Sequence, residues 1–235
     1  LVTELSKSSY LSMGKFPVSS VIRVPTGAYG GGGPYHSGTV ESSILPIKGI
    51  KIAYPSTAAD MKGLMKAAFY DPNPVIMFEH KGLYWSKVPG TEKAKTPEPD
   101  SDYIIPFGKA RVVQAASQEQ IEMGNTVGVV TYGMGVYWAL NGSKEFADQV
   151  EILDLRTLAP YDEEAVMALA RKHGKILVLT EETKRNSFAE ALAGRISEQC
   201  FVNLDAPVQI LGSEDIPAVP LNTGLEEMML PNADK

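Results

Sequence analysis

His36 closes a segment of unusual composition, Gly27-Ala28-Tyr29-Gly30-Gly31-Gly32-Gly33-Pro34-Tyr35-His36-Ser37, that follows a short β-branched run. An imidazole changes charge near neutral pH, so a histidine placed there can donate and accept protons or steady a developing oxyanion. Four consecutive glycines before a proline predict neither a helix nor a stable strand, and each costs backbone entropy when ordered. The segment reads as a functional loop, with a merely flexible turn as the alternative. Its spacing matches neither G-x-G-x-x-G nor G-x-x-x-x-G-K-S/T, so dinucleotide and P-loop nucleotide binding do not follow.

A second candidate is the stretch Ala67-Ala68-Phe69-Tyr70-Asp71-Pro72-Asn73-Pro74. A helix running into Pro72 must stop, which leaves terminal carbonyls without intrahelical partners. Those oxygens, with Asp71 and Asn73 beside them, suit a hard cation; a plain helix stop with Asp and Asn as turn residues is the alternative. The carboxylate pairs Glu181-Glu182 and Glu226-Glu227 have no companion histidine or nucleophile nearby in sequence and read as solvated surface. His80 at a strand end and His173 in a helix's last turn, where a cation is favoured, are assigned no chemistry. The single cysteine, Cys200, can form no internal disulfide and no multi-cysteine metal site, which suits a reducing compartment.

The elements that would position these residues alternate between strand and helix. Residues 18–24, 50–53 and 75–79 read as strands and 58–70 as a helix with apolar residues at Met61, Leu64, Met65, Ala68 and Phe69. Beyond residues 87–102, where Pro, Lys, Glu, Thr and Asp dominate and periodicity vanishes, the rhythm resumes. Strands are predicted at 126–131, 150–154, 176–180 and 208–211, and helices at 134–146, 162–173 and 187–199. Strands of continuous hydrophobicity between helices predict parallel sheets covered on both faces. The expectation is two α/β units joined by an extended connection.

Composition narrows the rest. The 235 residues carry a formal net charge of -6, with no basic cluster denser than Lys184-Arg185, which opposes nucleic acid as a partner. The most apolar stretch, residues 127–140, is interrupted by three glycines and is shorter than the roughly 20 apolar residues a membrane helix needs. The chain opens on Leu1 with no signal-peptide pattern, and its natural N-terminus is expected upstream.

Ordered blocks along nearly the whole chain resemble the β subunits of thiamine-diphosphate-dependent 2-oxo acid dehydrogenases. They include Arg23-Val24-Pro25-Thr26-Gly27, Tyr35-His36-Ser37, Asp71-Pro72-Asn73-Pro74-Val75, Glu79-His80-Lys81-Gly82-Leu83-Tyr84, Ile105-Pro106-Phe107-Gly108-Lys109-Ala110 and Asp154-Leu155-Arg156-Thr157-Leu158-Ala159-Pro160. The run from Cys200 to Pro207 and Tyr35 look closer to the branched-chain enzymes than to pyruvate dehydrogenase.

The resemblance implies an α/β fold in two parts: a truncated transketolase-type pyrimidine-binding domain over 1–88, a linker over 89–105 and a transketolase C-terminal domain over 106–235. It implies thiamine diphosphate with Mg²⁺ shared with an E1 α subunit or α-like half, and acyl transfer to a lipoyl group on the E2 acyltransferase. A second β copy would complete a homodimer or α2β2 interface, in the bacterial cytoplasm or the mitochondrial matrix. His36 falls on the family's active-site histidine. Ser20, Ala68, Phe69, Asp71 and Asn73 fall on its potassium site, built mainly from carbonyl oxygens. The glutamate that activates the aminopyrimidine lies upstream of Leu1, so no cofactor-binding residue is assigned. Two positions depart from the pattern: Gly38 stands where relatives usually carry Gln, and Ser20 where they often carry an apolar residue. The alternatives are a transketolase-like or deoxyxylulose-phosphate-synthase-like enzyme, and a non-catalytic assembly fragment that docks on E2.

Overall fold

The computed structural model describes residues 1–233 and 235. After a single turn, α1 (Ser8–Leu11), come β1 (Val21–Thr26), the short turns α2 (Gly33–His36) and α3 (Glu41–Ile44), β2 (Lys51–Ala53), α4 (Ala58–Phe69) and β3 (Val75–His80). Thr57 sets the start of α4: its hydroxyl accepts the Asp60 N–H at 3.1 Å, satisfying one orphan donor of the first turn. Tyr70 is its C-cap, and Pro72 forbids continuation. β1, β3 and β2 pair in parallel in that spatial order, and all six residues of β3 are buried, as a central strand covered on both faces requires.

The second sheet is built from β4 (Arg111–Gln114), α5 (Gln118–Glu122), β5 (Val127–Thr131), α6 (Gly135–Gly142) and β6 (Val150–Asp154). The short β7 (Thr157–Ala159) follows, then α7 (Glu163–His173), β8 (Ile176–Thr183), α8 (Phe188–Cys200), β9 (Gln209–Ser213) and α9 (Thr223–Met229). The spatial order is β4-β6-β5-β8-β9, parallel except for β4 at the edge. Asp162 and Ser187 cap α7 and α8 through their side chains, and Gly174 ends α7 in the left-handed conformation. The helix predicted over 134–146 is shorter than expected: it stops at Gly142, and a 3₁₀ turn over Lys144–Phe146 follows Ser143.

The two units are not strung on a loose tether. β7 leaves the second unit and pairs antiparallel with β2, so the first sheet reads β1-β3-β2-β7. One apolar cluster runs from Ile52, Tyr54, Ile76 and Phe78 into Val130, Leu155, Leu158 and Leu192. Asp60 at the start of α4 receives both Arg111 (3.1 Å) and Arg156 (3.3 Å) from the second unit. The connecting stretch is also ordered by contacts. Thr91, Ala94 and Ile105 are buried, the Ile105 N–H donates to the Gly63 carbonyl, and a Cβ on Gly63 would stand 2.7 Å from Ile105 Cγ1. Gly63 is therefore the residue that lets this strap lie directly on α4. Among the described residues no helix is long and apolar enough to cross a membrane.

Candidate functional site

β1 and β3 end side by side, with Thr26 opposite His80, and the glycine-rich segment leaves from that carboxyl edge. This is the edge at which open parallel sheets hold ligands. The segment is not wholly irregular, contrary to the sequence expectation: its last glycine, Gly33, opens the single helical turn α2, with Pro34 in the first turn, where its missing N–H is harmless. His36 ends that turn, exposed to solvent. Its Nδ1 lies 2.8 Å from the Tyr35 carbonyl, an oxygen that only accepts, so Nδ1 carries a hydrogen and the exposed Nε2 is left to exchange protons. Lys81 Nζ donates to the His36 carbonyl, and the Lys81 stem packs across Gly30.

Under this loop the carboxyl ends of the two sheets meet, and here the sequence reading of the acidic pairs is overturned. Glu181 and Glu182 near the end of β8 are buried, as is Glu226 on α9; of the two pairs only Glu227 is exposed. Each buried carboxylate faces a partner far away in sequence. Glu181 Oε1 accepts the Ala28 N–H at 2.7 Å and its Oε2 lies 2.5 Å from His80 Nε2; Glu226 Oε1 accepts the Tyr29 N–H at 3.1 Å. Glu182 accepts both the N–H and the hydroxyl of Ser42. Glu41 on α3 is fully buried and receives the Tyr132 hydroxyl at 3.1 Å. Burial, and then the charge of Glu182, push the Glu41 carboxyl up to about 8, and burial raises Glu182 as well against its bonds from Ser42. His80 is likewise not a bland strand end but a buried partner of Glu181, whereas His173 is a core histidine bonded to Thr126 at 2.7 Å.

A cleft of about 410 Å³ opens at the same edge between the ends of β2 and β3, lined among others by Ser56, Met61, His80, Tyr84 and Trp85. His36 lies outside it. On its rim, burial works to raise the Glu79 carboxyl, yet the Arg23 guanidinium and the Tyr84 hydroxyl hold it below the usual carboxylate range.

The five residues expected to hold potassium gather at the opposite, amino edge of the first sheet, where β1 and β3 begin with Val21 opposite Val75. The Ser20 carbonyl accepts the Val75 N–H at 2.8 Å and the Ala68 carbonyl the Asp71 N–H at 3.3 Å, each keeping a second lone pair. Ser20 Oγ is buried without a partner. This oxygen set fits a hard monovalent cation. Lys51 Nζ already rests on Asp71 Oδ2 and Asn73 donates to Oδ1, so carbonyls rather than the carboxylate are the free donors. The fit of thiamine diphosphate is different. At the His36 edge Glu79, Glu181, Glu182 and Glu226 are committed to partners within the chain and Glu41 is wholly buried, so none fits the role of activating an aminopyrimidine.

A glycine-rich loop on the carboxyl edge of one parallel sheet, packed against the carboxyl edge of a second α/β layer, defines a transketolase-type pair of domains. The transketolase pyrimidine binding domain matches residues 2–86 and the transketolase C-terminal domain residues 116–235. Within that class, the chain belongs to the family of 2-oxo acid dehydrogenase E1 beta subunits. It is 37% identical over 238 residues to the 2-oxoisovalerate dehydrogenase subunit beta of Bacillus subtilis, covering 100% of this chain and 68% of that protein. To the pyruvate dehydrogenase E1 component subunit beta of Rhizobium meliloti it is 34% identical, covering 99% of this chain and 48% of that protein. The mitochondrial pyruvate dehydrogenase beta-1 subunit of Arabidopsis thaliana is 30% identical over 100% of this chain and 62% of its own length. The chain thus spans between about half and two thirds of these relatives. A solved split-gene transketolase, an inactive beta4 tetramer, shares the fold with a TM-score of 0.63 at 18% identity, over 90% of this chain and 62% of that one.

Proposed function

We propose that this chain forms the β wall of the E1 active site of a 2-oxo acid dehydrogenase, acting on branched-chain 2-oxo acids in preference to pyruvate and passing the acyl group to lipoyl-E2. The observation that carries the reading is the exposed His36 Nε2 at the carboxyl edge of β1, with the tautomer set by Tyr35. Thiamine diphosphate with Mg²⁺ would supply the decarboxylating carbon nucleophile, held largely by an α-type partner and by polypeptide outside residues 1–235. What His36 does is move a proton: as the lipoyl disulfide opens and one sulfur takes the acyl group, the imidazolium gives a hydrogen to the other sulfur, which leaves as a thiol, and the resulting lone pair on Nε2 is reprotonated from solvent.

The other two histidines are buried, which opposes a sugar-phosphate enzyme that would present several exposed cations to a phosphate. By the same reading, potassium binds at Ser20, Ala68, Phe69, Asp71 and Asn73 as a structural ion, a second β copy joins the assembly, and the protein works in a bacterial cytoplasm or a mitochondrial matrix. The test is His36→Ala in the complete, assembled E1. Reductive acylation of a lipoyl domain is expected to fall by more than about tenfold; unchanged transfer would remove His36 from the mechanism.

A further inference from the structure

The base of the His36 loop is bent sharply, with φ of +89° at Gly27 and +63° at Tyr29. Two of its N–H groups are taken by carboxylates of the second unit: Ala28 by Glu181 from β8, Tyr29 by Glu226 from α9. Glu181 is itself fixed twice. Its own carbonyl accepts the Ser213 hydroxyl at 2.6 Å, and its free oxygen receives His80 Nε2. The His80 tautomer is set by the fold, because the Gly82 N–H donates to Nδ1 at 3.1 Å and leaves the hydrogen on Nε2. The His80 ring fills the space a side chain at residue 27 would need, and a Cβ there would sit 2.2 Å from the ring. Trp138 from α6 donates to the Tyr29 hydroxyl at 3.1 Å, and Leu221 packs on Gly33 at the start of the turn that ends in His36.

We infer that Glu181, oriented by His80 and seconded by Glu226, is a positioning residue for His36: the second unit grips two successive amides of the glycine-rich loop and thereby fixes where the imidazole stands. This inference rests on the proposed role of His36 in acyl transfer. It gives the C-terminal unit a part in the active site that no block of the sequence announces. Glutamine cannot replace Glu181 without loss. Its amide offers one acceptor where two donors, the Ala28 N–H and His80 Nε2–H, converge, and His80 cannot switch tautomer without turning a hydrogen against the Gly82 N–H.

The experiment compares wild type, Glu181→Gln, Glu181→Asp, His36→Ala and the double variant Glu181→Gln/His36→Ala in the full-length, assembled enzyme, with rates normalised to folded, cofactor-saturated sites. Glu181→Gln is expected to slow lipoyl acylation by at least about tenfold, with Glu181→Asp between it and wild type. In the His36→Ala background the Glu181 substitution is expected to cost almost nothing, because it acts through a ring no longer there. The wild-type dependence of transfer on pH is expected to flatten in Glu181→Gln, whereas a general structural loss would scale the profile without changing its shape.

Amide hydrogen exchange at Ala28 reads the Glu181 grip without any activity, and is expected to quicken more than about tenfold in Glu181→Gln. Multiplicative effects in the double variant, or unchanged exchange, overturn the inference. Full transfer in His36→Ala overturns instead the reading beneath it, and the positioning role falls with that reading.

Discussion

Glu41 gives the sharpest quantitative test of how the two units meet. Its carboxyl titrates from an ordinary 4.5 when the chain is unfolded to about 8 when α3 is docked, chiefly because the docked carboxylate has lost its water and then because Glu182 lies nearby. The folded protein therefore keeps a proton that the unfolded chain releases. Below the unfolded value both states hold it and nothing is lost; as pH climbs, folding stability falls steadily, and the loss levels off above the folded value. At about 1.36 kcal/mol per unit of pH, the cost at neutral pH is about 3 kcal/mol. Glu41→Gln keeps the shape of the side chain and an oxygen for the Tyr132 hydroxyl, and it has no proton to release. Urea unfolding of both proteins at about pH 5, 6, 7 and 8, followed by circular dichroism, should show the variant gaining on wild type by roughly 1 kcal/mol per unit. Two stability curves that run parallel across this range would refute the reasoning, since the proteins differ in this carboxyl and in its coupling to Glu182.

Other outcomes follow from the same geometry. Gly27→Ala meets the His80 ring at 2.2 Å and adopts a φ of +89°, so it should destabilise the protein by at least about 1–3 kcal/mol in urea unfolding; a change smaller than that would mean the ring is free to step aside. At the opposite edge of the sheet, burial pulls the Asp71 carboxyl up, but Lys51 and Asn73 outweigh it and hold the group below the usual range. That interaction stabilises the fold above the unfolded pKa and is lost as pH falls through the depressed one. Lys51→Met should accordingly raise the midpoint of acid unfolding, with the two proteins converging in strong acid. If potassium occupies the carbonyls at residues 20, 68 and 69, exchanging potassium chloride for choline chloride at constant ionic strength should lower the melting temperature by a few degrees, about the shift that 1 kcal/mol produces; identical melting curves would remove the ion.

Much of the architecture was legible because local physics wrote it. Buried parallel strands such as Val75–His80 and Val127–Thr131 are short apolar runs, and α7 and α8 announce themselves by Asp162 and Ser187 at their starts. The position of His36 at the carboxyl edge of a parallel strand was legible for the same reason. What stayed hidden was set by partners remote in sequence. Glu181 looks like half of a solvated acidic pair because its partners, Ala28 and His80, are 153 and 101 residues away. Glu182 meets Ser42 from 140 residues away. No periodicity marks β7, whose three residues become a strand only because β2 offers them an edge. The strap over α4 hides in a Pro- and Lys-rich stretch, and only Gly63 hints that something must lie close against that helix.

The antiparallel pairing of Thr157–Ala159 with Ile52 and Ala53 also constrains how such a chain can be cut, shuffled or inherited. Severing it within the residues that join the two units would strip an outer strand from the first sheet, leaving Lys51–Ala53 as a raw border able to recruit strands from other molecules. A recombination event that exchanged the second unit would have to import a matching three-residue stitch with it.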